Sequence, residues 1–134
     1  MILVDAGPLV AFVDEDDQYH QVCASALRGV REPMATLWPS VAEAMYLLLA
    51  LPHAQQALLE MMERGGLLLL AVDAADVPRM RALMEQYADL PMDLADAALI
   101  RVAEREGIRT IFTLDRRDFS VYRLHGRVRP KLIP

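Results

Sequence analysis

Three features of this sequence predict a three-layer α/β/α domain with a mainly parallel central sheet. Short apolar runs of strand length, at 1–4, 34–37, 67–72 and 108–114, alternate with longer stretches whose apolar residues recur at helical spacing. The runs at 1–4 and 67–72 are continuously apolar, as expected of strands covered on both faces. Gly and Pro punctuate the boundaries, at Gly7-Pro8, Pro33, Pro52, Gly65-Gly66 and Gly107. Right-handed crossovers between parallel strands then place helices on both sides of the sheet. The 134 residues suit one domain, 1–134, with no internal repeat or linker.

The first run, Met1 to Val4, is closed by Asp5 and Gly7-Pro8, and a short helix is expected over 8–14. The acids from Asp14 to Asp17 follow, the last placed to cap a helix with Tyr19, Val22, Cys23, Ala26 and Leu27 on one face. Cys23 lies on that face, so its thiol reads as buried and structural. Met34 to Leu37 forms the second strand. A helix begins at Pro39-Ser40 and runs to about Leu51, and another carries Ala54, Ala57, Leu58, Met61 and Met62 inward until Gly65-Gly66. LLLLAV at 67–72 is expected to be a strand buried on both faces. Asp76 then caps a helix with Val77, Met80, Leu83, Met84 and Tyr87 inward, Pro78 being tolerated in its first turn. A helix from about Asp93 to Glu106 stops at Gly107, the strand IRTIFTL follows, and an edge strand is expected near 127–133.

Composition narrows the function classes. Hydrophobic residues make up 54% and charged residues 25%, which excludes a disordered chain. The longest apolar clusters are too short to span a bilayer, and no signal-peptide pattern opens the chain, so no membrane association is expected. The single Cys23 allows no internal disulfide and fits a reducing, cytoplasmic setting. Net charge is −5, yet six bases and one acid, Asp118, lie between Arg116 and Lys131. An acidic centre with a basic border suits a polyanion held where cations neutralise the centre; an unevenly charged solvated surface fits the totals as well.

The acids carry the chemistry. In open parallel sheets, ligands sit beyond the carboxyl ends of the strands. Asp5 and Asp115 end two strands, Glu43 follows the second strand, and Asp96 opens a late helix, so all four are expected at one edge. Like charges so close need a cation or must take up protons. Oxygen donors with no nearby Cys or His pair suit Mg²⁺ or Mn²⁺ better than Zn²⁺. Each acid also has a plainer structural role open to it. Asp5 can initiate a turn, and Ser40-Val41-Ala42-Glu43 has the form of a capping box. Asp93 reads as the N-cap that leaves Asp96 free, favoured by the helix dipole. Asp115 can form a turn with Asp118 supporting it, and Thr113, on the same strand face as Asp115, can donate to a carboxylate or a water.

Taken together, VDAGPLVA at 4–11, Glu43, LADAALIRVAEREG at 94–107 and TLDRRDF at 113–119 resemble the PIN domains, and among them the toxin ribonucleases of VapC type. The resemblance covers nearly the whole chain, and the order of these pieces is more specific than any one of them. It implies a PIN-like fold and a metal-dependent endoribonuclease, a hydrolase that cleaves RNA phosphodiesters with water activated on Mg²⁺ or Mn²⁺. Asp5, Glu43, Asp96 and Asp115 fall on the metal-binding and catalytic acids of the family. Ala6 stands where many members carry Ser or Thr. Asp93, Thr113 and Asp118 are supporting candidates, and Arg116 and Arg117 are candidates to hold the RNA backbone or are simply solvated. A cognate antitoxin and a homodimer are the implied partners. The alternative is a PIN-fold nucleic-acid-binding or assembly module with little or no nuclease activity. A receiver-type phosphotransfer domain is disfavoured, because Lys131 is the only lysine and adjacent acids after the first strand are missing; an aspartyl phosphatase is disfavoured by Gly7 where a second Asp is needed.

Overall fold

A computed structural model describes residues 1–134. Five parallel strands, β1 (Ile2–Val4), β2 (Met34–Thr36), β3 (Leu68–Leu69), β4 (Thr110–Phe112) and β5 (Lys131–Ile133), lie in the order β3-β2-β1-β4-β5. Seven α-helices connect them: α1 (Ala6–Val13), α2 (His20–Arg28), α3 (Trp38–Leu47), α4 (Pro52–Glu63), α5 (Val77–Gln86), α6 (Leu94–Glu106) and α7 (Arg116–Phe119). A 3-10 turn, Ala74–Asp76, precedes α5.

Strand alternation divides the interior into two cores. Ile2, Val4, Met34 and Phe112 point to the side covered by α1 to α4, where they meet Leu9, Cys23, Val41, Ala44 and Leu58. Leu3, Ala35 and Ile111 point to the other side and pack on Met80, Leu83, Leu99, Ile100 and Tyr122. A strand buried on both faces must be apolar at every position, which is why β1 reads as an unbroken run. Each fully buried Leu contributes about 1.5–3 kcal/mol.

The chain winds outward from β1 through β2 to β3, then crosses back to β4 and β5. The sheet therefore reverses direction between β1 and β4, and a crevice opens beyond their carboxyl ends. At this corner Gly7 faces Leu114, and a Cβ on Gly7 would lie 3.3 Å from Leu114 Cδ1. The first turn of α1 and the loop after β4 approach each other closely because position 7 has no side chain.

Several boundaries differ from the sequence expectation. α1 begins at Ala6, so Gly7-Pro8 lies inside the first turn instead of breaking the chain, as Pro tolerates there. β3 contracts to two residues and lies at the sheet edge, leaving Leu68 and Leu69 39% and 38% exposed, so 67–72 is not buried on both faces. Tyr19 and Val22 are exposed although Cys23 is buried, and Val77 faces outward from α5. The strand near the carboxyl end forms as expected, parallel to β4. Gly107 ends α6 in the left-handed conformation at φ 67°.

Candidate metal centre

Asp5 follows β1 in an extended conformation and caps α1. Its Oδ1 accepts the Ala6 N–H at 2.8 Å, and its Oδ2 accepts the Thr113 hydroxyl at 2.9 Å. That hydroxyl in turn accepts the Asp115 N–H at 3.1 Å. Buried Thr113 thus ties the ends of β1 and β4 together, and with the Ala6 N–H it holds both Asp5 oxygens in place. The Thr36 hydroxyl donates to the Val4 carbonyl at 2.8 Å, securing the end of β1 from the other neighbouring strand.

The late acids follow a repeated local design. Asp93 caps α6 by accepting the Asp96 N–H at 2.8 Å, which places Asp96 in the first turn with its carboxylate not spent on capping. Asp115 caps the short α7 by accepting the Asp118 N–H at 3.1 Å. In both, the sequence Asp-x-x-Asp uses the first carboxylate on backbone and presents the second.

Glu43 lies on α3, and the capping box expected with Ser40 does not form. The helix starts two residues earlier, at Trp38 with Leu37 as its cap, and the buried Ser40 hydroxyl has no hydrogen-bond partner. Pro39 is acceptable near this start because its missing N–H lies among those that no helical carbonyl would accept. Glu43 is therefore exposed and released from capping.

These segments enclose a cavity of about 440 Å³. Asp5, Glu43, Asp93, Asp96, Asp115 and Asp118 line it, joined by Asp17 from the α1–α2 loop; no Lys, Arg or His does. Asp96, Asp115 and Asp118 come closest, each presenting an oxygen within 4.8 Å of the others. Asp5 and Glu43 line the same cavity without joining that trio. Asp118, expected only to support Asp115, belongs to the same close trio.

The electrostatics record this crowding. Burial pushes the Asp5 carboxyl up from its ordinary value, although the Ala6 and Thr113 donors oppose the shift. Burial, and then the negative charges of Asp5 and Asp93, raise Glu43. Asp96 is pushed up to about 8, first by burial and then by Asp93, Asp5 and Asp115, with the Tyr122 hydroxyl opposing. Asp118 is also raised, by burial and then by Asp115. A cation would remove the repulsive part of each shift, and a donor set made only of oxygens fits a hard divalent ion.

Comparison with known proteins follows the same lines. The PIN domain profile matches residues 2–124. The chain belongs to the PIN-domain family. It is 30% identical over 135 residues to "Ribonuclease VapC26" of Mycobacterium tuberculosis, spanning 99% of this chain and 100% of that protein. Its fold matches that of Mycobacterium tuberculosis VapC20, described as a Sarcin-Ricin loop cleaving toxin, with a TM-score of 0.79 at 16% identity over 87% of this chain and 92% of that one. A toxin–antitoxin complex from Klebsiella pneumoniae superposes with a TM-score of 0.70 at 19% identity, over 99% of this chain and 100% of that one.

Outside the cavity, the arginines of this PIN domain that follow Asp115 have surroundings of their own. The Arg116 guanidinium donates to the Pro134 carbonyl at 3.0 Å and to the Leu132 carbonyl at 3.4 Å, tying α7 to the carboxyl-terminal strand. Neither Arg116 nor the exposed Arg117 lines the cavity. Asp17 does not cap α2 directly; its carboxylate accepts the Tyr19 N–H at 2.8 Å and turns the loop that walls the cavity. Tyr122, whose hydroxyl donates to Asp96 Oδ2 at 2.8 Å, escaped the sequence reading. It lies 26 residues from its partner in an irregular tail, where neither helical nor strand periodicity pointed to it.

Proposed function

We propose that this PIN domain is a divalent-metal-dependent endoribonuclease, the toxin of a toxin–antitoxin pair, hydrolysing RNA phosphodiester bonds. One observation carries the reading: Asp5, Glu43, Asp96 and Asp115, from four distant segments, face one cavity with no basic side chain to neutralise them. The relative named as a ribonuclease, aligned from end to end, supports it, as do the structural neighbours described as toxins. A PIN-fold binding module without nuclease activity would be favoured by loss of one of the four acids, and all four are present.

In this proposal Asp96 and Asp115, with Asp118 beside them, hold Mg²⁺ or Mn²⁺, and Asp5 and Glu43 contribute directly or through water. The chemistry supplied by such an ion would be acidification of a water and neutralisation of the charge that develops on the phosphodiester. Thr113 keeps Asp5 oriented, and Asp93 holds the backbone of Asp96. Arg117, exposed next to Asp115 in sequence, is available to the RNA backbone, and Arg116 is engaged with the tail.

We place the protein in the cytoplasm, where its buried free Cys23 stays reduced; no helix is long and apolar enough to cross a membrane. An antitoxin and a second copy of the chain are the proposed partners. Trp38, Tyr46, Leu47 and Leu49, on α3 and just beyond it, are exposed apolar side chains of the kind a partner covers.

The test compares wild type with Asp5→Asn and Asp96→Asn on a mixed pool of structured and single-stranded RNAs, with Mn²⁺ or with EDTA. Both variants are expected to keep the far-ultraviolet circular dichroism of wild type and to lose more than about a hundredfold in Mn²⁺-dependent cleavage. Undiminished cleavage by either variant overturns the site.

A further inference from the structure

We infer that Tyr122 is a positioning residue of the metal centre, a strut that sets the separation between Asp96 on α6 and the two acids of α7. The inference rests on the metal-dependent reading above and extends it to a residue outside the acid set. Tyr122 is attached at both ends. Its backbone N–H donates to the Asp118 carbonyl at 3.2 Å, which fixes it to the helix that carries Asp115 and Asp118. Its hydroxyl donates to Asp96 Oδ2 at 2.8 Å, which fixes the carboxylate on the other helix. The three acids that come within 4.8 Å of one another belong to the two elements this one side chain spans.

The strut is stiff because its ring is held. Tyr122 is fully buried, with edge-to-face contacts to Phe119 and to Tyr87, both at 5.1 Å between centroids. Phe119 is the last residue of α7 and Tyr87 caps α5, so the ring is packed by one of the elements it joins and by a third helix beside them. The Tyr87 hydroxyl accepts the Arg123 N–H at 3.0 Å. Mutually repelling carboxylates would drift apart without a restraint. The hydroxyl supplies that restraint by holding one of the two Asp96 oxygens. Partners of ligating carboxylates act in this way, fixing ligand orientation before the ion arrives.

The experiment measures Mn²⁺ affinity by the electron paramagnetic resonance signal of free Mn²⁺, with no RNA present. Tyr122→Phe keeps the ring and removes the hydroxyl, and is expected to weaken Mn²⁺ binding by about tenfold to a hundredfold. Tyr87→Phe removes a hydroxyl from the same aromatic cluster without touching an acid, and is expected to bind Mn²⁺ as wild type does. Asp96→Asn serves as the reference for loss of the site. If Asp96→Asn weakens binding but Tyr122→Phe binds within twofold of wild type, the strut is overturned and the metal centre stands. If Asp96→Asn binds as wild type does, the metal reading falls and the strut falls with it. Equal weakening in Tyr87→Phe and Tyr122→Phe assigns the effect to packing and also overturns the strut.

Discussion

Asp96 sits in the first turn of α6, where the helix dipole favours a negative charge, and its carboxyl is nonetheless pushed up to about 8. Burial and the charges of Asp93, Asp5 and Asp115 outweigh both the dipole and the Tyr122 hydroxyl. This shift has a sign in stability. A carboxyl whose folded value exceeds its unfolded value of 3.8 favours the folded chain when protonated. The metal-free protein therefore loses stability as pH rises from about 4 through 8. Asp96→Asn cannot ionise and keeps an acceptor for Tyr122, so it is expected to escape that loss. In EDTA at pH 8 the variant should exceed wild type by about 1–2 kcal/mol, a fraction of the full shift because water reaches this half-buried group. Thermal melts at pH 5 and pH 8 check this: the advantage of the variant must grow with pH. At this scale the site was partly legible. Asp93 as cap, with Asp96 left out of the capping, followed from spacing, because capping is local chemistry. Tyr122 did not, since its partner is distant in sequence.

At the scale of elements, α6 is anchored at the end remote from Asp96 by charges that the sequence reading passed over. Asp76 was expected to cap α5. Instead it closes a capping box with Asp73 around the 3-10 turn and receives Arg101 at 2.8 Å and Arg105 at 2.7 Å from α6. Arg79 of α5 pairs with Glu104 through two bonds of 2.9 Å, and Glu104 also accepts the His125 N–H. Arg101 and Arg105 are four residues apart, so one helix face meets one carboxylate. The Asp73 N–H, followed by Arg101 and Arg105, holds the Asp76 carboxyl down at about 2. Its contribution is complete above the unfolded value of 3.8 and is lost as pH falls through 2. Asp76→Asn is expected to cost on the order of 1–2 kcal/mol at pH 7 and to flatten the loss of stability between pH 4 and pH 2. Urea melts across that range check it, and an unchanged acid limb in the variant would refute it. The expected buried strand at 67–72 failed for a related reason. A run of leucines specifies a strand, but its place in the sheet order decides how many neighbours cover it.

For the whole molecule, folding concentrates seven carboxylates around one cavity in a chain of net charge −5. Whatever neutralises them must bind the folded state preferentially, because the unfolded chain disperses them. Mn²⁺ at about 100 times its dissociation constant is expected to stabilise the protein by about 2.7 kcal/mol, an increase in Tm of about 10 °C for a domain of this size. Asp96→Asn should lose most of that increase. A wild-type Tm indifferent to Mn²⁺ would refute the site as a cation centre.

The sequence by itself determined the layered parallel sheet, its approximate strands and helices, and the acids that gather beyond its strands. Those follow from periodicity, turn chemistry and the rule that parallel strands direct their carboxyl ends to one edge, all of which act over a few residues or apply to every such sheet. Only the tertiary structure decided how the acids divide. It set Asp118 beside Asp96 and Asp115, released Glu43 from Ser40, assigned Arg116 to the tail and brought Tyr122 under Asp96. Each of these outcomes depends on which distant segments pack together, and long-range packing leaves no periodic trace in the chain.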